Sequence, residues 1–290
     1  MRTSWRHSLL VLGVALAGFV SVCTLSGCSF SAGDAEQITV AGSTTVLPIA
    51  EIAAEKFHDE TGVDVLVSGL GSSAGIESVI NKTAEIASSS RDLTQEEADH
   101  NLVKIPIAYD GIAVIVNEQN GVSELSLQQL RDIYSGAITN WSQLGGDDTD
   151  ILVVNRDEAS GTREAFRNIV MGTTSFDRRS AVLPGTGQVR DVVSRTKGAI
   201  GYISIGFVDT AFATTQVKAL SIAGVEPCER TVEDKTYPIS RSLYFFCAKT
   251  PEGHVADYIN FILSDEMGTT IREAGYIPMR SCDIGGALSE

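Results

Sequence analysis

The chain has 290 residues, 43% of them hydrophobic and 20% charged, with a formal net charge of −15. That is the composition of a globular protein long enough for more than one core. Its acidity argues against nucleic acid as a partner, because binding a phosphate backbone needs clustered Lys and Arg, yet it leaves room for one small anion held by local donors and helix ends.

The first residues, with Arg2, Arg6 and His7, make a positive start, and an apolar run follows from Leu9 to about Leu25. The run is shorter than the ~20 residues a spanning helix needs, and small residues follow it, which is the layout of a secretory signal. It ends in Leu25-Ser26-Gly27-Cys28, which resembles a bacterial lipobox, whose cysteine becomes the lipidated first residue of the mature protein. The expectation is a signal over 1–27, lipid on Cys28 and a tether over 28–37; a plain secretion signal cut nearby is the alternative. No later run is long and apolar enough to cross a membrane.

From Ile38 the pattern alternates. ITVAG (38–42) reads as a strand, and 46–60 as a helix with Ile49, Ile52, Ala53 and Phe57 at three- and four-residue spacing and Pro48 in its first turn. A strand (63–69), a helix (75–82), a strand (84–88) and a strand (112–117) follow. A helix over 125–136 closes on Gly136. Then come a strand (151–155), a helix (162–170), strands at 198–204 and 242–247, and closing helices over 253–264 and 266–274. Such alternation predicts an α/β protein with mixed or parallel sheets, which binds ligands where the carboxyl ends of strands meet helix N-termini. Cys228, Cys247 and Cys282 have no CxxC spacing, so they suggest no metal site; they leave open one disulfide of unknown pairing or buried thiols.

Three strand-to-helix turns share one composition: Gly42-Ser43-Thr44-Thr45, Gly71-Ser72-Ser73-Ala74-Gly75 and Ser160-Gly161-Thr162. A fourth loop, Ser88-Ser89-Ser90-Arg91-Asp92, precedes another helix start. Any one of them reads most simply as a helix cap. Four in one α/β chain, with Arg156 beside the third, offer hydroxyls, free N–H groups and a guanidinium to one cleft, and a tetrahedral oxyanion fits them.

These stretches, AGSTTVLP, SGLGSSAGI, SSSRDLT with IAYDGIAVIVN, and NRDEASGTREAF, occur in an order that resembles the phosphate-binding lipoproteins of bacterial ABC phosphate importers. GAITNWSQLGG and GAIGYIS are similar too, so the likeness covers most of residues 37–208. The resemblance implies a two-lobed, hinged periplasmic-binding-protein-like fold: 38–112 plus 242–290 as lobe I, 113–241 as lobe II. It implies a lipid-anchored monomer at the outer face of the cytoplasmic membrane, without cofactor, which closes on inorganic phosphate and docks on permease subunits. By position, Ser43, Thr44 and Thr45, then Ser72 and Ser73, then Arg156, Ser160, Gly161 and Thr162 contact the anion, with Glu158 orienting Arg156. Many members have an aspartate where this chain has Ser90; that carboxylate accepts the phosphate proton and so rejects sulfate. With Ser90 there, Asp110 is the candidate acceptor and Asp92 a weaker one, although Asp110-Gly111 also reads as a plain turn. Arg91 is read as touching the anion or tying down a nearby acid, and Arg163 as facing the surface or hinge.

The alternatives are a binder of sulfate, molybdate or tungstate, and a secreted phosphatase. The second lacks support: a serine hydrolase needs a histidine base beside its nucleophile elbow, and none of His58, His100 and His254 lies near these turns, while no Walker lysine, zinc spacing or calcium loop is present.

Overall fold

The computed structural model describes residues 37–208 and 216–280. The signal, Cys28, most of the tether and Cys282 lie outside them. In chain order the elements are β1 (Gln37–Gly42), α1 (Leu47–Thr61), β2 (Asp64–Gly69), α2 (Ser72–Ile80), β3 (Ile86–Ser89), α3 (Gln95–Ala98), β4 (Val103–Asn117), β5 (Glu124–Leu125) and α4 (Leu127–Ser135). There follow β6 (Leu152–Arg156), α5 (Gly161–Phe166), β7 (Ala181–Leu183), α6 (Thr186–Arg195), β8 (Ala199–Ser204), β9 (Val217–Ala219), β10 (Ser221–Ile222) and α7 (Glu229–Glu233). β11 (Ser240–Cys247), α8 (Gly253–Ile262), α9 (Asp265–Glu273) and β12 (Ile277–Pro278) complete the set.

One curled mixed sheet runs β2-β1-β3-β11-β4-β8-β6-β7 through the protein. Parallel pairs lie towards its two ends, where helices make the crossovers that parallel strands require: β1 with β2 and β3, β6 with β7 and β8. The middle is antiparallel. β11 runs against β3 and β4, and β4 runs against β8. Apolar side chains of β1, β3, the first part of β4, β11, α1 and α8 form one core, centred on residues such as Val40, Ile105, Phe245 and Tyr258. The second part of β4, with α4, α5 and β8, builds another around Val114, Tyr134, Phe166 and Tyr202. The fold is two-lobed, and β4 contributes side chains to both cores.

Several elements begin elsewhere than the sequence pattern suggests. β4 is 15 residues long, whereas only 112–117 reads as a strand, because Pro106 and Asp110-Gly111 look like breaks. Pro106 is tolerated where the β4–β11 register shifts, opposite Tyr244, so no regular ladder bond is lost there. Asp110-Gly111 lies inside the strand, paired with Arg241 and Ser240, and is no turn. α2 starts at Ser72, not Gly75, so the serine turn is itself the first turn of the helix. The segment after Phe166 continues as one π-helical turn to Met171. Cys228 and Cys247 are both free thiols; Cys247 lies in the lobe I core, and burial pushes its pKa up to about 12.

Candidate functional site

The hydroxyl-rich turns converge where the lobes face each other. Gly42 has φ 139°, and a Cβ there would sit 2.1 Å from the Ser88 carbonyl oxygen, so only glycine lets β1 come this close to β3. Ser43 then donates its N–H to that same oxygen at 2.9 Å, and its hydroxyl accepts the Thr45 N–H at 3.2 Å. These bonds hold Thr44 and Thr45 against the opposite lobe: Thr44 Oγ1 is 2.9 Å from Thr186 Oγ1, and Thr45 Oγ1 is 3.1 Å from Thr162 Oγ1.

The first turn of α2 supplies Ser72 and Ser73. Ser72 Oγ is 3.3 Å from Ser90 Oγ and accepts the Ser90 N–H at 3.1 Å. Ser73 sends its N–H across the cleft to the Ala159 carbonyl at 3.2 Å. From the other lobe, Ser160 caps α5 by accepting the Arg163 N–H at 3.2 Å. Gly161 presses against the serines: a Cβ there would be 2.3 Å from Ser72 Oγ and 2.9 Å from Ser90 Oγ.

Arg156 ends β6 and is 2% exposed. Its Nε donates to the Leu183 carbonyl at 3.1 Å, and Nη2 donates to that of Pro184 at 2.8 Å and to Thr44 Oγ1 at 3.3 Å. Nη1 donates to Thr186 Oγ1 at 3.2 Å. Main-chain carbonyls thus aim this guanidinium. Glu158, expected to do so, has a side chain 91% exposed and lies 3.8 Å from Arg163 instead. Arg163 itself lies over the Phe176 ring, 5.0 Å from its centroid.

Two expected contacts of the anion are engaged with protein charges. Arg91 donates to both carboxylate oxygens of Glu97, at 2.6 and 2.7 Å, and its Nε is 3.1 Å from Glu164 Oε2 on α5. Of the two readings of Arg91, the geometry matches tying down acids. Asp92 pairs with Lys104, half-exposed and away from the cleft residues. Asp110 is fully buried, with Oδ2 accepting from Arg241 Nε at 3.1 Å and Nη2 at 2.8 Å, and Oδ1 accepting from Ser204 Oγ at 2.6 Å. Burial pushes the Asp110 carboxyl up, while Arg241 and the Ser204 hydroxyl pull it down. The residue offered from the sequence as acceptor of the ligand's proton thus has both oxygens engaged by Arg241 and Ser204.

Arg241 and Thr186 were not singled out from the sequence. Arg241 Nη1 donates to the Ser90 carbonyl at 3.2 Å and Nη2 reaches Thr45 Oγ1 at 3.3 Å. Nothing in SRSLYFF distinguishes it, since its importance comes from a register that puts it opposite Asp110. Thr186 could have been found, because Gly185-Thr186-Gly187 has the composition of the other turns. Burial lowers the Arg156 pKa, Tyr202 and Asp157 oppose that, and the charge of Arg241 adds to it. The two guanidiniums therefore feel each other's charge. Two like charges out of water beside a ring of hydroxyls form an environment that an oxyanion stabilises. Among the described residues, no three His, Cys, Asp or Glu side chains gather as a metal ion requires.

Comparison with known proteins gives one direction. Residues 30–266 match the family model described as PBP superfamily domain. The chain is 29% identical to the phosphate-binding protein PstS of Bacillus subtilis (strain 168), over 96% of this chain and 97% of that one. It is 31% identical to PstS of Staphylococcus aureus (strain USA300), over 81% of this chain and 76% of that one. Among solved structures, a Clostridium perfringens protein classed with phosphate ABC transporter substrate-binding proteins, with bound phosphate, superposes with a TM-score of 0.80 at 37% identity. It covers 84% of this chain and 100% of its own. An ABC-type phosphate transport receptor from Vibrio cholerae gives 0.69 at 35% identity, over 83% of this chain and 99% of that one. On the length of the family match and the identity to these relatives, the chain belongs to the PBP superfamily and, within it, to the PstS phosphate-binding proteins.

Proposed function

We propose that the chain binds inorganic phosphate between its lobes, outside the cytoplasm, and delivers it to the permease of an ABC importer. The observation that carries this reading is the pair of buried guanidiniums, Arg156 and Arg241, set against hydroxyls from both lobes. An anion there receives charge-assisted hydrogen bonds in a low-dielectric cleft, where they are strongest. Thr44, Thr45, Ser72, Arg156, Gly161 through its N–H, and Thr162 contact the oxygens. Ser43, Ser73, Ser90 and Ser160 shape the turns that present them, Asp110 positions Arg241, and Arg91 joins the lobes.

The moving bodies are 38–112 with 242–290, and 113–241, hinged where β4 and β11 cross. Phosphate completes its hydrogen bonds only when both lips are present, so it favours the closed form. The relatives named above are binding proteins, and this chain acts as a monomeric binder and not as an enzyme. After removal of 1–27, lipid on Cys28 holds it at the outer face of the cytoplasmic membrane. Calorimetric titration with phosphate, run beside an assay of phosphate-ester hydrolysis, tests the reading. One phosphate bound per chain without ester turnover supports it; absence of phosphate binding, or ester turnover, overturns it.

A further inference from the structure

The pocket's only fully buried carboxylate among the described residues, Asp110, has its oxygens on three donors, with the Ile205 backbone acting on it in the same sense. A carboxylate offers about four lone-pair sites, so these three donors leave at most one for a ligand's proton. Arg241, which it holds, reaches Thr45 from one side while Arg156 reaches Thr44 from the other. The adjacent threonines thus stand between two cations, and apart from Asp157 and the Arg91 that donates to Ser73 the side chains of these turns are neutral hydroxyls.

Resting on the phosphate reading above, we infer that Arg241 is a second anion-gripping guanidinium and that the cradle selects for two negative charges without a carboxylate to test for a proton. The chemistry separates three ions. Hydrogen phosphate, the dianion, has one proton, which a Ser or Thr oxygen accepts. Dihydrogen phosphate has half the charge and two protons to place. Sulfate has two charges and no proton, and the hydroxyl that accepted one turns to donate. A fixed carboxylate lone pair would oppose sulfate, whereas a rotating hydroxyl does not. Other titratable groups around the cradle are Tyr202, Tyr237 and Tyr276, whose pKa values burial raises, and Asp157, which follows Arg156 and has a buried Oδ1 without a hydrogen-bond partner. Asp157 is the rival acceptor.

The test is competitive calorimetry on the intact mature protein with inorganic phosphate and sulfate from pH 5 to 9. The expected results are phosphate affinity that falls as pH drops through the second ionisation of phosphate, and sulfate binding within about a hundredfold of phosphate, the scale of one or two neutral hydrogen bonds. Arg241→Lys keeps a cation opposite Asp110 but loses the Nη donors beside Ser90 and Thr45, and in protein whose melting midpoint shows it folded it weakens phosphate by roughly tenfold or more. A flat pH profile with sulfate rejected by about 10⁴ or more overturns the inference and points to a carboxylate acceptor; loss of that rejection in Asp157→Asn then identifies it. Unchanged affinity in Arg241→Lys removes Arg241 from the ligand's contacts. Absence of phosphate binding at every pH removes the functional reading beneath.

Discussion

Arg156 and Gly161 show how single residues set the cradle. Arg156 reaches four acceptors, two of them main-chain carbonyls that fix its plane, so its guanidinium is ordered before ligand arrives and little entropy is lost on binding. Arg156→Ala removes a buried charged donor, and phosphate affinity should drop by on the order of 3 kcal/mol, roughly a hundredfold, in calorimetry. Near-unchanged affinity would remove Arg156 from the site. Gly161 acts by absence of a side chain: a methyl there points at Ser72 Oγ, 2.3 Å away and on the other lobe. Since alanine suits a helix start at ordinary φ, Gly161→Ala should leave the melting midpoint of the unliganded protein nearly unchanged while phosphate binding collapses. Equal loss of both would mean the glycine serves folding and not closure. The serines, threonines and Arg156 were legible because their turns repeat one composition. Arg241 was not, since a lone arginine in a strand gains its meaning only from the residue paired beside it.

At the scale of elements, Arg91 links three pieces that the sequence shows separately. The chain after β3 carries it, Glu97 of α3 grips it with both oxygens, and Glu164 of α5 meets it from the opposite lobe. Its side chain is only 5% exposed, so salt screens the contact weakly. Glu164→Gln keeps the shape and removes the charge that spans the cleft. Stopped-flow release of phosphate should speed up by roughly tenfold with association little changed, because such contacts act mainly after encounter. A change confined to association would make Glu164 a steering charge. Glu97 also gives a sign for pH. Burial pushes its carboxyl up, but the hydrogen bonds from Arg91 and Thr94 and the Arg91 charge outweigh that and hold it below its usual value. A depressed acid stabilises the fold above its unfolded pKa, and that stability is lost as pH falls through the folded one. Thermal melts of Glu97→Gln should therefore differ from the parent near neutral pH and approach it towards pH 3; a gap that stays constant would assign the effect to packing. Elements themselves were legible where the period agreed with a start or stop signal, as in α1 with Pro48 in its first turn and α4 closed by Gly136. β4 was not, because a proline and an Asp-Gly pair signal breaks locally while a bulge and a buried ion pair accommodate them.

For the whole molecule, the lobes explain capture and the N-terminus must explain where capture happens. Among the described residues no helix is long and apolar enough to cross a membrane, and the proposed attachment rests on the segment before them. The sequence offers Cys28 in a lipobox-like setting. One acyl chain gives only marginal attachment, whereas two or more hold a protein firmly, and the lipid modification of such signals supplies more than one. The surface offers no substitute, since a net charge of −15 repels anionic lipid headgroups. Attachment should therefore depend on the cysteine alone. In cells carrying Cys28→Ser, fractionation should find the protein in the soluble extracytoplasmic fraction, with phosphate affinity of the purified protein unaltered because the cradle lies in the lobes. Protein that stays with the membrane pellet would mean that the apolar run anchors it uncleaved or that a partner holds it. A salt wash then separates the two, because a charged partner contact is screened and released while a buried apolar helix is not.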